Sequence, residues 1–243
     1  MKNNSSRVFL ISTVVVVCFA LPTFAQQRRI PKGGRLAIVV DDRLSALRRA
    51  PNLSARLVER LSRGRFVAII ATKHDRNGVT FYRVKATRRR SGWIQRDAVV
   101  SASQVADDQR LLRLIRESKE FELVARARIF LDTFTLSPMR PTVLLLYGDA
   151  AEGVSDKLSH EAARRLDEEK IAANGAPQFT YFMNFNGLDR YNRQGVKFVF
   201  DRAAKRFHYD GAAWRELAQR YPNSPEAAEA RKRLDSLSAF LKN

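Results

Sequence analysis

The chain has 243 residues and a formal net charge of +19, from 44 Lys and Arg against 25 Asp and Glu. A field of that sign attracts polyanions and disfavours basic partners. One cysteine and three histidines exclude a disulfide framework, and His74, His160 and His208 share no metal-ligand spacing, so no cofactor is expected.

Residues 1–25 read as a secretory signal peptide. Lys2 and Arg7 open it, Val8 to Leu21 is apolar apart from Ser12 and Thr13, and Thr23-Phe24-Ala25 offers small residues before a cleavage at Gln26. A membrane anchor is the alternative, but the apolar run is about 14 residues where a bilayer needs roughly 20. Cys18 lies inside this segment behind Val17, where a lipoprotein signal wants a small residue. Cleavage after Ala25 leaves a mature chain without cysteine, exported to the periplasm or cell envelope. Residues 26–34 form a basic linker containing Arg28, Arg29 and Lys32.

The charge is unevenly placed. Residues 26–105 carry 19 Lys and Arg against 5 Asp and Glu, whereas residues 106–243 carry 23 against 20. The polyanion-attracting part is therefore the N-terminal one.

That part reads as short strands. Arg35 to Val40 is the first, ended by Asp41-Asp42. Pro51-Asn52 and Arg63-Gly64 mark turns on either side of the apolar Leu57, Val58 and Leu61. Phe66 to Ile70 has strand length and composition. His74 to Gly78 contains Asn-Gly, a hairpin signal, and Val79 to Val84 returns. The Arg88-Arg89-Arg90-Ser91-Gly92 connection leads to Trp93-Ile94, and Ala98 to Val100 closes the unit. About five short strands within residues 35–103 predict a small β-barrel.

The same stretch resembles a bacterial SH3 (SH3b) domain. The motifs are Leu47-Arg48-Arg49-Ala50-Pro51, then Leu57-Val58, Gly64 and Phe66–Ile70, and last Gly92-Trp93-Ile94. Ala50 stands where the family has Gly, and Phe81 where it has Trp. The resemblance implies a non-catalytic module that binds envelope or cell-wall material. The candidate ligand-binding residues are Arg48, Tyr82, Arg88, Arg89, Arg90 and Trp93. Tyr82 and Trp93 are rings able to stack on a sugar or peptide, and the arginines can take carboxylates or phosphates in forked hydrogen bonds. Phe81 reads as core. Trp93 reads equally as core or as ligand-facing.

Residues 104–243 read as a mostly α-helical domain. Ser103 or Asp107 is expected to cap a first helix carrying Leu111, Leu112, Leu114 and Ile115. A second runs from about Glu120 to Phe134. Ser137-Pro138 is expected to start a third, with Val143, Tyr147 and Ala150 as its stripe, and a fourth covers about Ser159 to Ala172. Asn174 to Gly211 is aromatic, and within it Val196–Tyr209 reads as a β-hairpin or, alternatively, as continuing helix. Two helices, Ala212 to Tyr221 and Ser224 to Lys242, end the chain.

This ending repeats an earlier phrase. Phe130-Leu131, Phe134 and Ser137-Pro138 match Leu217-Ala218, Tyr221 and Ser224-Pro225 at a shift of 87 residues. Tyr221-Pro222, Ser224-Pro225, Ala227 and Ala230 resemble the tetratricopeptide-like units of outer-membrane assembly lipoproteins, which implies a protein partner. The shift is not a multiple of that family's period of roughly 34 residues, so the aromatic segment interrupts any solenoid.

The chain has no Gly-rich phosphate loop and no Ser-centred nucleophile elbow. His208 and Asp210 share a strand face and read as a local hydrogen bond or half of an acid–base pair. The expected function is a non-catalytic exported scaffold. Its barrel holds a cell-wall glycan, its peptide or another anionic envelope polymer, and its helices hold a protein. Export takes the chain away from nucleic acid. The alternative is an envelope enzyme or enzyme accessory, with a deep cleft in region 179–209 lined by Tyr181, Phe185, Asp189 and Tyr191.

Overall fold

The computed structural model describes residues 33–241. The expected signal peptide, most of the expected 26–34 linker and Cys18 lie outside the described residues.

The architecture is mixed α and β. Seven strands make one antiparallel sheet: β1 (Arg35–Val39), β2 (Ala46–Arg48), β3 (Leu57–Arg60), β4 (Phe66–His74), β5 (Thr80–Lys85), β6 (Ser91–Gln95) and β7 (Val99–Val100). Their order is β3-β2-β6-β5-β4-β1-β7. The closed barrel expected from the sequence is not formed among the described residues. The end strands, of four and two residues, share no ladder, and the sheet stays open. The Asn-Gly hairpin forms as expected. Asp75 Oδ1 accepts the Asn77 and Val79 amides at 2.8 and 2.9 Å, and Gly78 supplies the positive φ of 77° that other residues resist.

The unbroken apolar run of β1 follows from where its two faces go. Ala37 and Val39 enter a core with Leu47, Val67, Ile69, Tyr82, Val84 and Ile94. Ile38, with Val40 and Val100, enters a second core shared with the helices. A strand buried on both sides reads as continuous rather than alternating.

The helices are α1 (Asp107–Arg116), α2 (Glu120–Thr133), α3 (Arg140–Arg165), α4 (Glu168–Asn174), α5 (Gln178–Met183) and the short α6 (Asp189–Asn192). The hairpin β8 (Phe198–Asp201) and β9 (Arg206–Tyr209) follows, then α7 (Ala212–Arg220) and α8 (Pro225–Leu241). The hairpin reading of 196–209 therefore holds over its continuing-helix alternative. Neither Ser103 nor Asp107 caps α1. Ala106 precedes that helix at φ 63°, and the buried Asp107 carboxylate instead accepts the Ser101 amide at 2.9 Å. Pro138 stays in a turn, and α3 begins at Arg140 with Pro141 in its first turn. The third and fourth expected helices are largely one. Between Pro141 and Pro177 no proline interrupts the amide ladder, so α3 runs 26 residues before a short break at Leu166 and Asp167.

The shift of 87 is visible in backbone geometry. The turn after α2 has Phe134 N–H donating to Phe130 O (2.8 Å), Ser137 to Phe134 (3.2 Å) and Arg140 to Ser137 (3.1 Å). The turn after α7 has Tyr221 donating to Leu217 (3.0 Å), Ser224 to Tyr221 (3.0 Å) and Ala227 to Ser224 (3.1 Å). The helices that follow differ in length, 26 residues against 17.

The aromatic segment packs its rings onto α3. Phe182 stacks on Phe200 with centroids 4.6 Å apart, and Phe207 contacts both. Side chains of α3 satisfy the β9 backbone. Ser159 Oγ accepts the Phe207 amide at 2.8 Å, and Glu152 Oε2 accepts that of Tyr209 at 2.6 Å. His208 Nδ1 lies 2.9 Å from Glu152 Oε1, so its partner is Glu152 rather than the expected Asp210. Asp210 accepts the Ala212 amide at 3.0 Å at the start of α7.

Burial raises two phenols of this core. Tyr147 is pushed up to about 12, and Tyr209 is raised further. Their folded-state values exceed the ordinary 10.0, so the stability they contribute is complete below pH 10 and is lost as pH rises toward 12. We expect tyrosinate absorbance to appear together with loss of helical circular dichroism in that window. Ionisation of every tyrosine near pH 10 in a still-folded chain would contradict it.

Candidate functional site

Strand register brings residues distant in sequence into one row. Arg48 of β2 faces Leu57 of β3 on one side and Trp93 of β6 on the other. Trp93 in turn faces Arg83 of β5, and Arg83 faces Ala71 of β4. Directly opposed residues share a face with Cβ atoms about 5 Å apart. The half-buried Trp93 thus stands in register between two arginines, Arg48 and Arg83. The two-residue alternation of β5 adds Lys85 to the same face.

The row is held locally. Arg48 Nη1 donates to Ala55 O at 2.8 Å, which fixes the guanidinium against the β2–β3 connection. Gly92, next to Trp93, lies so close to β2 that a Cβ there would sit 2.7 Å from Arg48 O. Only glycine lets β6 approach, which explains the Gly-Trp pair. Arg83 and Lys85 are exposed, and neither has a carboxylate partner among the described residues.

The sequence candidates divide. Arg48 and Trp93 are neighbours in this row. Arg88 and Arg89 are exposed in the β5–β6 connection that borders it and make no ion pair among the described residues, whereas Arg90 is tied to Glu59 of β3 at 2.5 Å. Tyr82 is not a stacking platform. It is 6% exposed, packs in the sheet core, and has Arg35 Cζ 5.7 Å from its ring centroid. Phe81 is fully buried, as its core reading requires. Arg83 and Lys85 were missed. Their signal was the alternation Phe81, Arg83, Lys85 on the return strand, which puts both cations on the face of Trp93.

The aromatic region offers no deep pocket among the described residues. Phe185 and Tyr191 fill the helical core, and Tyr181 accepts a hydrogen bond from Asn174. Asp189 lines a shallow polar cleft of about 460 Å³ with Glu161, Arg165, Arg190 and Arg193. Arg190 is fixed there over the Tyr191 ring at 4.7 Å and donates to its hydroxyl at 3.0 Å. Among the described residues no group of three His, Cys, Asp or Glu is placed to hold a metal ion. No described helix is long and apolar enough to cross a membrane. Compared with family models, with curated proteins and with solved structures, the chain has no match in any of the three.

Proposed function

We propose that the protein is an exported, non-catalytic envelope scaffold whose sheet binds an anionic cell-wall polymer through Trp93, Arg48 and Arg83. The observation that carries this reading is Trp93 in register between two arginines, with no carboxylate partner for Arg83 among the described residues. The ring gives area to a sugar or peptide plane, and the arginines give forked donors to its carboxylates or phosphates. Arg88, Arg89 and Lys85 extend the positive field around it. The SH3b-like order of Leu47 to Pro51, Gly64 and Gly92-Trp93-Ile94, and the signal-like residues 1–25, support the same reading. The two helical hairpins with equivalent turns, whose second resembles tetratricopeptide-like units, support a separate protein partner for the helical part.

Co-sedimentation of the full chain with purified peptidoglycan tests it. Trp93→Ala is expected to weaken binding roughly five- to tenfold, the worth of about 1 kcal/mol of ring contact. The double variant Arg48→Gln with Arg83→Gln is expected to flatten the salt dependence, because it removes charge rather than ring area. Absence of binding at low ionic strength would end the cell-wall reading. Binding that ignores Trp93 and follows salt alone would reduce the face to a general cation patch.

A further inference from the structure

We infer that the free edge of β3 is a docking site for an extended acidic peptide, which adds to the sheet as an eighth strand. β3 stands at the end of the strand order, with β2 as its only neighbouring strand among the described residues. Leu61 N–H donates to Ser45 O at 3.1 Å, so the amide of residue 61 points toward β2. β3 bulges at Val58, and Arg49 N–H donates to Arg56 O at 3.0 Å, so the amides and carbonyls turned away from β2 are those of Leu57 and Arg60. An unpaired row of this kind is a template for another strand.

The side chains fit an added strand rather than bare solvent. Leu57 and Val58 are 46% and 42% exposed and, being adjacent, lie on opposite faces of the sheet. An incoming strand therefore finds an apolar contact above and below. Arg49, Arg56 and Arg60 surround these residues, all exposed and without a carboxylate partner among the described residues. Glu59, the only acid of the strand, is already taken by Arg90. Charge decides the occupant. A second copy of β3 would set arginine against arginine, and the 26–32 segment brings Arg28, Arg29 and Lys32. An acidic partner with alternating apolar residues meets both demands.

The probe is an acetylated and amidated peptide of alternating Glu and Val, added to the full chain. Amide hydrogen exchange should slow at least tenfold at Leu57 and Arg60 on saturation, with no change at Trp93. Leu57→Pro removes an outward amide that the β2–β3 ladder does not use, and edge strands tolerate proline there. That variant is expected to lose binding while keeping its unfolding temperature. Should it misfold, the double variant Arg56→Glu with Arg60→Glu changes only exposed side chains. It should bind the Glu-Val peptide at least tenfold more weakly and gain affinity for the corresponding Lys-Val peptide.

Several outcomes overturn the inference. Unchanged exchange at Leu57 and Arg60 under saturating peptide would mean that the arginines and the bulge merely blunt the edge. Equal binding by a folded Leu57→Pro chain would place the peptide elsewhere. Dimerisation of the chain through β3 would make a second copy the occupant.

Discussion

Gly148→Ala is expected to destabilise the protein by about 3 kcal/mol, the upper end of the usual overpacking range. Gly148 lies inside α3, where glycine is ordinarily the poorer choice. Here α7 leaves no room for anything larger. A Cβ built on Gly148 would sit 2.3 Å from Trp214 Nε1 and 2.7 Å from its Cδ1. Trp214 is itself almost completely buried, with its ring edge-on to Tyr209 at 5.4 Å, so it has nowhere to move. Its indole N–H has no acceptor among the described residues, which indicates that shape complementarity, not hydrogen bonding, fixes this contact. For a chain of this length the melting temperature should fall by roughly 10 °C. Gly153→Ala is the matched control. It lies five residues on in the same helix with nothing within 4 Å of a built Cβ. The gain in helix propensity should stabilise it by about 0.5–1 kcal/mol. Equal effects at the two glycines would show that Trp214 does not pin α7 to α3.

Arg126→Ala is the second large effect, at about 4 kcal/mol, because it breaks a buried charge network from one side. Arg126 is 3% exposed and joins the sheet to the helices. Its Nε donates to Val40 O at 3.1 Å and its Nη1 to Ser118 Oγ at 2.5 Å, while Nη2 lies 3.5 Å from the Asp41 carboxylate. Arg126→Met should recover the packing part of the loss but leave the Val40 carbonyl and Ser118 hydroxyl without this donor. The readout is urea unfolding followed by both far-ultraviolet circular dichroism and tryptophan fluorescence. A loss below 1 kcal/mol for the alanine variant would refute the role.

The same network gives a pH dependence. The Arg43 side chain, hydrogen-bonded to Asp41 at 2.7 and 3.1 Å, holds that carboxyl below its ordinary value of 3.8 against the opposing effect of burial. A depressed folded-state value contributes stability that is complete above pH 3.8 and is lost as pH falls through the folded value. Acid unfolding should therefore begin below about pH 4. Asp41→Asn should remove that component and lower stability at neutral pH.

Local chemistry was legible wherever it was decided by near neighbours. Asn77-Gly78 turned the β4–β5 hairpin because positive φ is a property of one residue and its Asp75 acceptor. The end of α2 and the two terminal helices could be read from periodicity and from the Ser-Pro phrases. The hairpin at 198–209 was legible because Val196, Phe198 and Phe200 alternate. Of the candidate row, Arg48 and Trp93 could be picked out from the sequence, whereas their adjacency could not.

What failed depended on partners far along the chain. The sequence contains no mark that Asp107 would turn back to Ser101, or that His208 would pair with Glu152, 56 residues before it. Tyr82 and Arg83 are adjacent, and composition favoured the ring as the ligand contact. The sheet reversed this, because adjacent strand residues take opposite faces and the core claimed the face of Tyr82. The sequence by itself determined the strand-forming basic half, the helical half, the turn chemistry and the offset of 87, since these rest on periodicity, charge and local backbone preference. Tertiary structure alone decided that the sheet stays open, that β1 serves two cores, and that Arg48, Trp93 and Arg83 stand in one row. Register is set by long-range pairing, and a shift of one residue would have sent each of those side chains to the other face.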